Sequence, residues 1–190
     1  MKIYKVAKNN EEYFYHATFL KNIEGIIDLG GFAVNKPQKN IGTSCYDFHK
    51  LNHIFASKSI EGTKRWIEKL IEIADQEDDF IESGKIPVAL RFSYDGEYLD
   101  DEIAISEGLD DSAVKIKQEY NEYDEYDEYD ENEQERHPTI GYDIEIWSGN
   151  SWIPIEDYEQ INFHDTYFKM SEEDDFYYIN DKSKIFNPQP

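Results

Sequence analysis

The 190 residues include 19 Lys and Arg against 42 Asp and Glu, a formal net charge of −23 at pH 7. That balance excludes a general affinity for nucleic-acid backbone, which depends on basic side chains displacing counterions, and it argues equally against adhesion to anionic membranes. The length fits a single domain over 1–190, and a content of 39% apolar and 15% aromatic residues supplies area enough for a core despite a low mean hydropathy.

Residues 13–17, Tyr-Phe-Tyr-His-Ala, read as a short strand entering a turn. Thr18 is placed to cap a helix in which Leu20, Ile23, Ile26 and Ile27 recur at helical spacing, and Gly30-Gly31 stops it. Phe32-Ala33-Val34 follows as an extended piece, and residues 35–50, rich in Asn, Lys, Gly and Ser, read as a loop. His53-Ile54-Phe55-Ala56-Ser57 returns to strand and ends in a serine able to cap the next helix. That helix, about Ser59 to Ala74, carries Ile60, Ile67, Leu70, Ile71 and Ala74 on one stripe, with Gly62 as its weak point.

Between Ile86 and Tyr94 the chain alternates, Val88, Leu90, Phe92 and Tyr94 to one side, Ala89 and Arg91 to the other. The segment 99–117 mixes acids with scattered aliphatics and predicts a short helix. Further on, Ile140, Tyr142, Ile144 and Ile146 alternate with Asp143 and Glu145 as a half-buried strand. Trp147-Ser-Gly-Asn-Ser-Trp152 reads as a hairpin turn between aromatics, and Trp152-Ile153-Pro154-Ile155 as an extended piece whose proline suits a sheet edge. Ile161 to Phe168 and Phe176 to Ile179 are the last strand candidates. Two helices followed by a mostly strand-forming remainder make an α+β chain.

One segment stands apart. Residues 119–135 hold ten acids, four tyrosines and no base, with Tyr120, Tyr123, Tyr126 and Tyr129 at three-residue spacing. A period of three fits neither a strand nor a straight helix, and like charges repel at these spacings. The tract therefore reads as a solvated, mobile low-complexity insertion, and without its ten negative charges the chain still carries −13. The single cysteine, Cys45, cannot close an internal disulfide, and no stretch approaches the roughly 20 apolar residues of a membrane span, so a cytoplasmic location is expected.

Tyr-His-Ala-Thr at 15–18, followed by Leu20-Lys-Asn-Ile-Glu-Gly-Ile-Ile-Asp-Leu-Gly-Gly-Phe, resembles the opening of the ADP-ribosyltransferase-like superfamily in its His-Tyr-Glu branch. The family's second element, a strand of aliphatic-Tyr-small-Ser before a helix, is matched by Ile54-Phe55-Ala56-Ser57 and a helix containing Trp66. Its third, a strand carrying Glu with an Ile-Pro beyond it, is matched by Tyr142-Asp143-Ile144-Glu145-Ile146-Trp147 and Ile153-Pro154. Pro87-Val88-Ala89-Leu90-Arg91-Phe92 looks like a central core strand of that fold, and the resemblance covers 13–158 apart from the acidic tract. It departs from the family at Phe55, which keeps an aromatic face where the family commonly has Tyr but lacks the hydroxyl.

The resemblance implies a compact split β-sheet core with N-terminal helices, and transfer of ADP-ribose from NAD⁺ as substrate to a macromolecular acceptor, with no metal. It also implies a microbial or phage-related role in conflict, as a toxin. Breaking the bond between nicotinamide and C1′ passes through an oxocarbenium-like transition state, which a carboxylate stabilises. The family pattern gives that role to Glu145, the adenosine ribose to His16, the carboxamide to the backbone of Ala17, the nicotinamide stack to Phe55 and a lining position to Thr18. Read without the resemblance, His16 is a hydrogen-bonded strand-end histidine, Phe55 a core side chain and Glu145 one of many solvated carboxylates, with Asp143 and Glu156 near enough to take its place.

An acidic enzyme suits a basic protein acceptor; Lys64, Arg65 and Lys69 read as a solvated face rather than a nucleic-acid patch. Two other readings stand beside the enzyme. One is a non-enzymatic acidic inhibitor or nucleic-acid mimic that occupies a basic site on a partner. The other is an ADP-ribose or nucleotide-binding module on the same fold without transfer activity. The histidines His16, His49, His53, His137 and His164 show no metal-ligand spacing beyond His49 and His53, which straddle a loop-to-strand junction, so no metal is expected. If 119–135 is an insertion, deleting it leaves the release of nicotinamide from NAD⁺ at the wild-type rate; if it is a mimic, the deletion abolishes partner binding instead.

Overall fold

The computed structural model describes residues 3–5, 13–33, 53–74, 84–117, 139–163, 168–170, 177–179 and 185–188. The expected loop 35–50 with Cys45, the acidic tract 119–135 and positions 164–167 of an expected strand lie outside the described residues. The strands are β1 (Ile3–Lys5), β2 (Tyr13–Phe19), β3 (Phe32–Ala33), β4 (His53–Ser57), β5 (Pro87–Ser93), β6 (Glu97–Asp100), β7 (Ala113–Lys117), β8 (Thr139–Ile140), β9 (Tyr142–Trp147), β10 (Trp152–Pro154), β11 (Phe168–Met170) and β12 (Tyr177–Ile179). The helices are α1 (Ile23–Leu29), α2 (Ile60–Ala74) and α3 (Glu102–Ser106). Eight strands form one sheet in the order β1-β6-β7-β4-β2-β5-β9-β10, every neighbour antiparallel, and β3-β8 and β11-β12 form two small ribbons. The chain is α+β, and no helix among the described residues is long and apolar enough to cross a membrane.

One face of the sheet builds the core. Phe14, Leu90, Phe92 and Ile146 on one side of it, and Ile54, Ala56, Val114, Ile116 and Tyr98 on the other, are all buried within a single apolar cluster. The Phe14 and Tyr98 ring centroids are 5.2 Å apart although β2 and β6 are three strands apart. Flat strands spaced at about 4.8 Å would hold them roughly 14 Å apart, so the sheet curls and brings β6 back over β2. In β5 the alternation reads as expected at Val88, Leu90 and Phe92, but Ala89 is fully buried as well, because a central strand is covered on both faces.

Two local expectations give way to sheet pairing. Thr18 does not cap a helix: β2 continues to Phe19, with Ala17, Thr18 and Phe19 opposite Ala89, Val88 and Pro87, and the Thr18 hydroxyl accepts from Asn22 Nδ2 at 2.9 Å. A 3-10 turn at Leu20–Asn22 then leads into α1, which closes as expected at Gly30 with φ 67° and its N–H shared between the Ile26 and Ile27 carbonyls. The segment 99–117 holds more than a short helix: it contains the end of β6, then α3 capped by Asp101, then β7. Val114 and Ile116 drop into the core while Lys115 takes the other face, a period of two that the surrounding acids obscure.

Helix α2 packs its predicted stripe against β2 and β5, and its N-terminus is capped by Ser59, whose Oγ accepts from the Gly62 N–H at 3.0 Å. Ser57 instead accepts from the Ser59 N–H and exchanges a hydrogen bond with Ser112 at 2.9 Å. Gly62, the residue of lowest helix propensity in this helix, lies where a Cβ would overlap the Asp110 carboxylate and the Ser57 hydroxyl. Asp110 is buried and cannot swing aside, because Trp66 Nε1, the Ser112 N–H and the Ser112 hydroxyl all donate to it, at 3.2, 2.8 and 2.7 Å. Propensity alone makes Gly62→Ala stabilising; the close approach reverses the sign. The expected outcome is a loss of about 1–3 kcal/mol in denaturant unfolding.

Candidate functional site

The sheet opens between β2 and β4. Along its other edge β2 pairs with β5 over all seven residues, from Tyr13 opposite Ser93 to Phe19 opposite Pro87. Against β4 it keeps only Tyr15 opposite Ser57. The same register carried further would set Ala17 against Phe55, but the ladder stops and a side chain takes over: His16 Nδ1 lies 2.8 Å from the Phe55 carbonyl oxygen. A carbonyl only accepts, so Nδ1 carries the proton and donates. Burial lowers the His16 pKa below its usual 6.5 and outweighs the opposing effect of this hydrogen bond. The ring is therefore neutral at pH 7, with Nε2 an unprotonated acceptor. Its edge packs on Phe32 at 5.2 Å between centroids.

Residues 15–18 and 54–57, distant in sequence, thus border one opening, but from different faces: Phe55, two residues from Ser57, lies on the side of Tyr15 and Glu145, opposite the His16 ring. Ala17 stands in the ladder opposite Ala89, and Thr18 is buried and bonded to Asn22. Phe55 is half-buried, and its cross-strand neighbour on β7 is Lys115, whose Nζ sits 5.8 Å from the ring centroid and 3.0 Å from Asp101 Oδ1.

Glu145 is elsewhere. Directly paired residues share a face, and one row runs Ser57–Tyr15–Arg91–Glu145 while the next runs His16–Leu90–Ile146. His16 and Glu145 therefore project from opposite faces of the sheet, with β5 between their strands. Glu145 does lie on the opposite side of β9 from Ile144 and Ile146, as the alternation predicts, but it accepts from Arg91 Nε at 2.5 Å. The Arg91 guanidinium is held between Tyr13, 4.4 Å away, and Trp152, 4.9 Å away. Tyr15 beside it has its pKa raised, by burial first and Tyr13 last, with Arg91 pulling the other way.

The two alternative carboxylates are both exposed, Asp143 in a bulge of β9 and Glu156 in the 3-10 helix Ile155–Gln160. Asp143 has φ 50°, the left-handed value that lets the bulge put Tyr142 and Glu145 on one face despite their odd spacing.

Arg91, Lys115 and Asp110 belong to no motif that marks them as functional in the sequence. Arg91 leaves a signal, as the one charged residue in the apolar run Pro87–Ser93. Asp110 and Lys115 leave none, since each is one charge among many until α2 and β4 close around them.

The His16 environment has a pH signature. Its folded-state pKa is depressed, so its contribution to stability is intact above the unfolded value of 6.5 and is lost as pH falls through 6.5 towards the folded pKa. Acid also relieves the self-repulsion of a chain at −23, so the comparison is with His16→Asn, whose amide can still donate to the Phe55 carbonyl. Chemical denaturation from pH 7.5 to 5 is expected to show wild type losing stability relative to the variant, with the gap opening below about pH 6.5. Comparison of the chain with family models, with curated proteins and with solved structures finds no match in any of the three.

Proposed function

We propose that this chain is an ADP-ribosyltransferase-like protein that takes NAD⁺ at the opening between β2 and β4. The observation that carries the reading is the parting of the two strands after a single pair, with the His16 ring bonded to the Phe55 carbonyl across it. The resemblance anticipates a split sheet with that histidine and that aromatic residue at the parting; here both border it, with their side chains on opposite faces. A neutral imidazole with Nδ1 fixed as donor offers Nε2 to a ribose hydroxyl, a role suited to holding a nucleoside.

Transfer asks for more than binding, because a carboxylate must stand against the cationic C1′. The family pattern assigns Glu145, with a basic protein as the acceptor. Its pairing with Arg91, three strands from Phe55 and on the face opposite His16, favours the second reading, a nucleotide-binding module that does not transfer. Binding is common to both readings, and nicotinamide release separates them.

Equilibrium binding of labelled NAD⁺ and release of nicotinamide are measured on wild type, His16→Ala and Glu145→Ala. Wild type is expected to bind, and His16→Ala to bind about tenfold more weakly, the equivalent of one well-made hydrogen bond. Glu145→Ala is expected to bind as wild type does; nicotinamide release that disappears in this variant establishes transfer, and no release by wild type establishes the binding module. No binding of NAD⁺ by wild type at millimolar concentration refutes the proposal.

A further inference from the structure

We propose that Phe55 and Lys115 form a subsite for an anionic diphosphate, so that the ADP-ribose portion of the ligand, rather than the cationic nicotinamide ring, lies against Phe55. The inference rests on the NAD reading of the opening and specifies that the diphosphate end passes through it to meet β4 on the face opposite the His16 ring. It reverses the role that the resemblance gives Phe55.

Lys115 is directly opposite Phe55 on β7, on the same face, and its ammonium lies 5.8 Å from the ring centroid. The negative face of an aromatic ring attracts one cation well. A pyridinium stacked on the same ring would face a like charge a few ångströms away, and such pairs repel. A phosphate in that place meets the opposite sign.

Asp101 does not cancel the site, because it sits beneath it. Its side chain is 6% exposed against 21% for Lys115. Asp101 Oδ1 also accepts from the Ile103 and Ala104 N–H groups at the start of α3, which fixes it in place as an anchor for the lysine. An ammonium has three donors, so bonding Asp101 on the buried side leaves capacity for a phosphate oxygen on the other. In a chain of −23 a dianionic ligand is repelled at long range, and an ammonium beside the opening supplies the local attraction that a diphosphate needs.

The test is titration calorimetry of the full chain with ADP-ribose, NAD⁺ and nicotinamide riboside, the last carrying the cationic ring without phosphate. Wild type is expected to bind ADP-ribose at least as tightly as NAD⁺, to give no heat with nicotinamide riboside, and to bind ADP-ribose more weakly as salt is raised. Lys115→Met is expected to lose about tenfold or more for ADP-ribose, and Lys115→Arg, which keeps the charge, to stay within about threefold. Nicotinamide riboside binding as tightly as ADP-ribose overturns the inference, as does a folded Lys115→Met with wild-type affinity. Should Lys115→Met fail to fold without its contact to Asp101, an ADP-ribose affinity of wild type that ignores salt overturns it. NAD⁺ binding with either of those results removes the subsite alone; binding of neither NAD⁺ nor ADP-ribose removes the nucleotide reading of the opening as well.

Discussion

A central strand that is fully paired on one edge and almost unpaired on the other governs this structure. Hydrogen bonding ties β2 to β5 over seven residues, while on its other edge the ladder to β4 is reduced to a single pair. Backbone groups exposed by the parting need partners, since a buried unsatisfied carbonyl costs as much as a lost hydrogen bond. His16 supplies one of them with its ring, and that substitution of a side chain for a ladder bond is what holds the two halves at a defined separation. The curl that brings Tyr98 onto Phe14 depends on the same freedom, because a continuous ladder would keep the two rings several strand spacings apart.

The acidity of the chain looks different once the cations are located. Arg91 pairs with Glu145, Lys115 with Asp101, Lys58 with Asp100, Lys64 with Glu61 and Lys69 with Glu72, while Arg65 donates to the Gly108 and Leu109 carbonyls. The helix pairs are exposed and contribute little, on the order of a few tenths of a kcal/mol each. Arg91 and Lys115 differ because each is half-buried, each lies over aromatic rings and each has a carboxylate fixed by its own strand or helix. Both project from one face of the sheet, Arg91 within the aromatic surface around Glu145 and Lys115 beside Phe55 at the border of the opening.

Much of the architecture was legible along the chain. The α2 stripe, the alternation through β5 and β9, the turn between Trp147 and Trp152 and the Gly30 stop all rest on interactions within about ten residues, which sequence periodicity records directly. Pro154 falls on β10, the terminal strand of the sheet, where its missing N–H goes unneeded. What periodicity could not supply was β6 and β7, since their burial comes from strands far away in sequence, and the continuation of β2 through Thr18, where pairing with Val88 outcompetes a local cap. Gly62 illustrates the same division: propensity marks it as a weak point, whereas contact with Asp110 makes it a requirement.

By itself the sequence determined an acidic α+β chain, the identity of its main elements and the residues worth testing, because composition and short-range pattern follow from local chemistry alone. The tertiary structure decided how those residues relate. Strand register has a period of two, so a step of one residue separates the faces of a sheet; Tyr15 therefore shares a row with Arg91 and Glu145, and His16, its neighbour in sequence, turns to the other side. No motif spacing contains that information, since it is set by which strands pair and where their ladder ends.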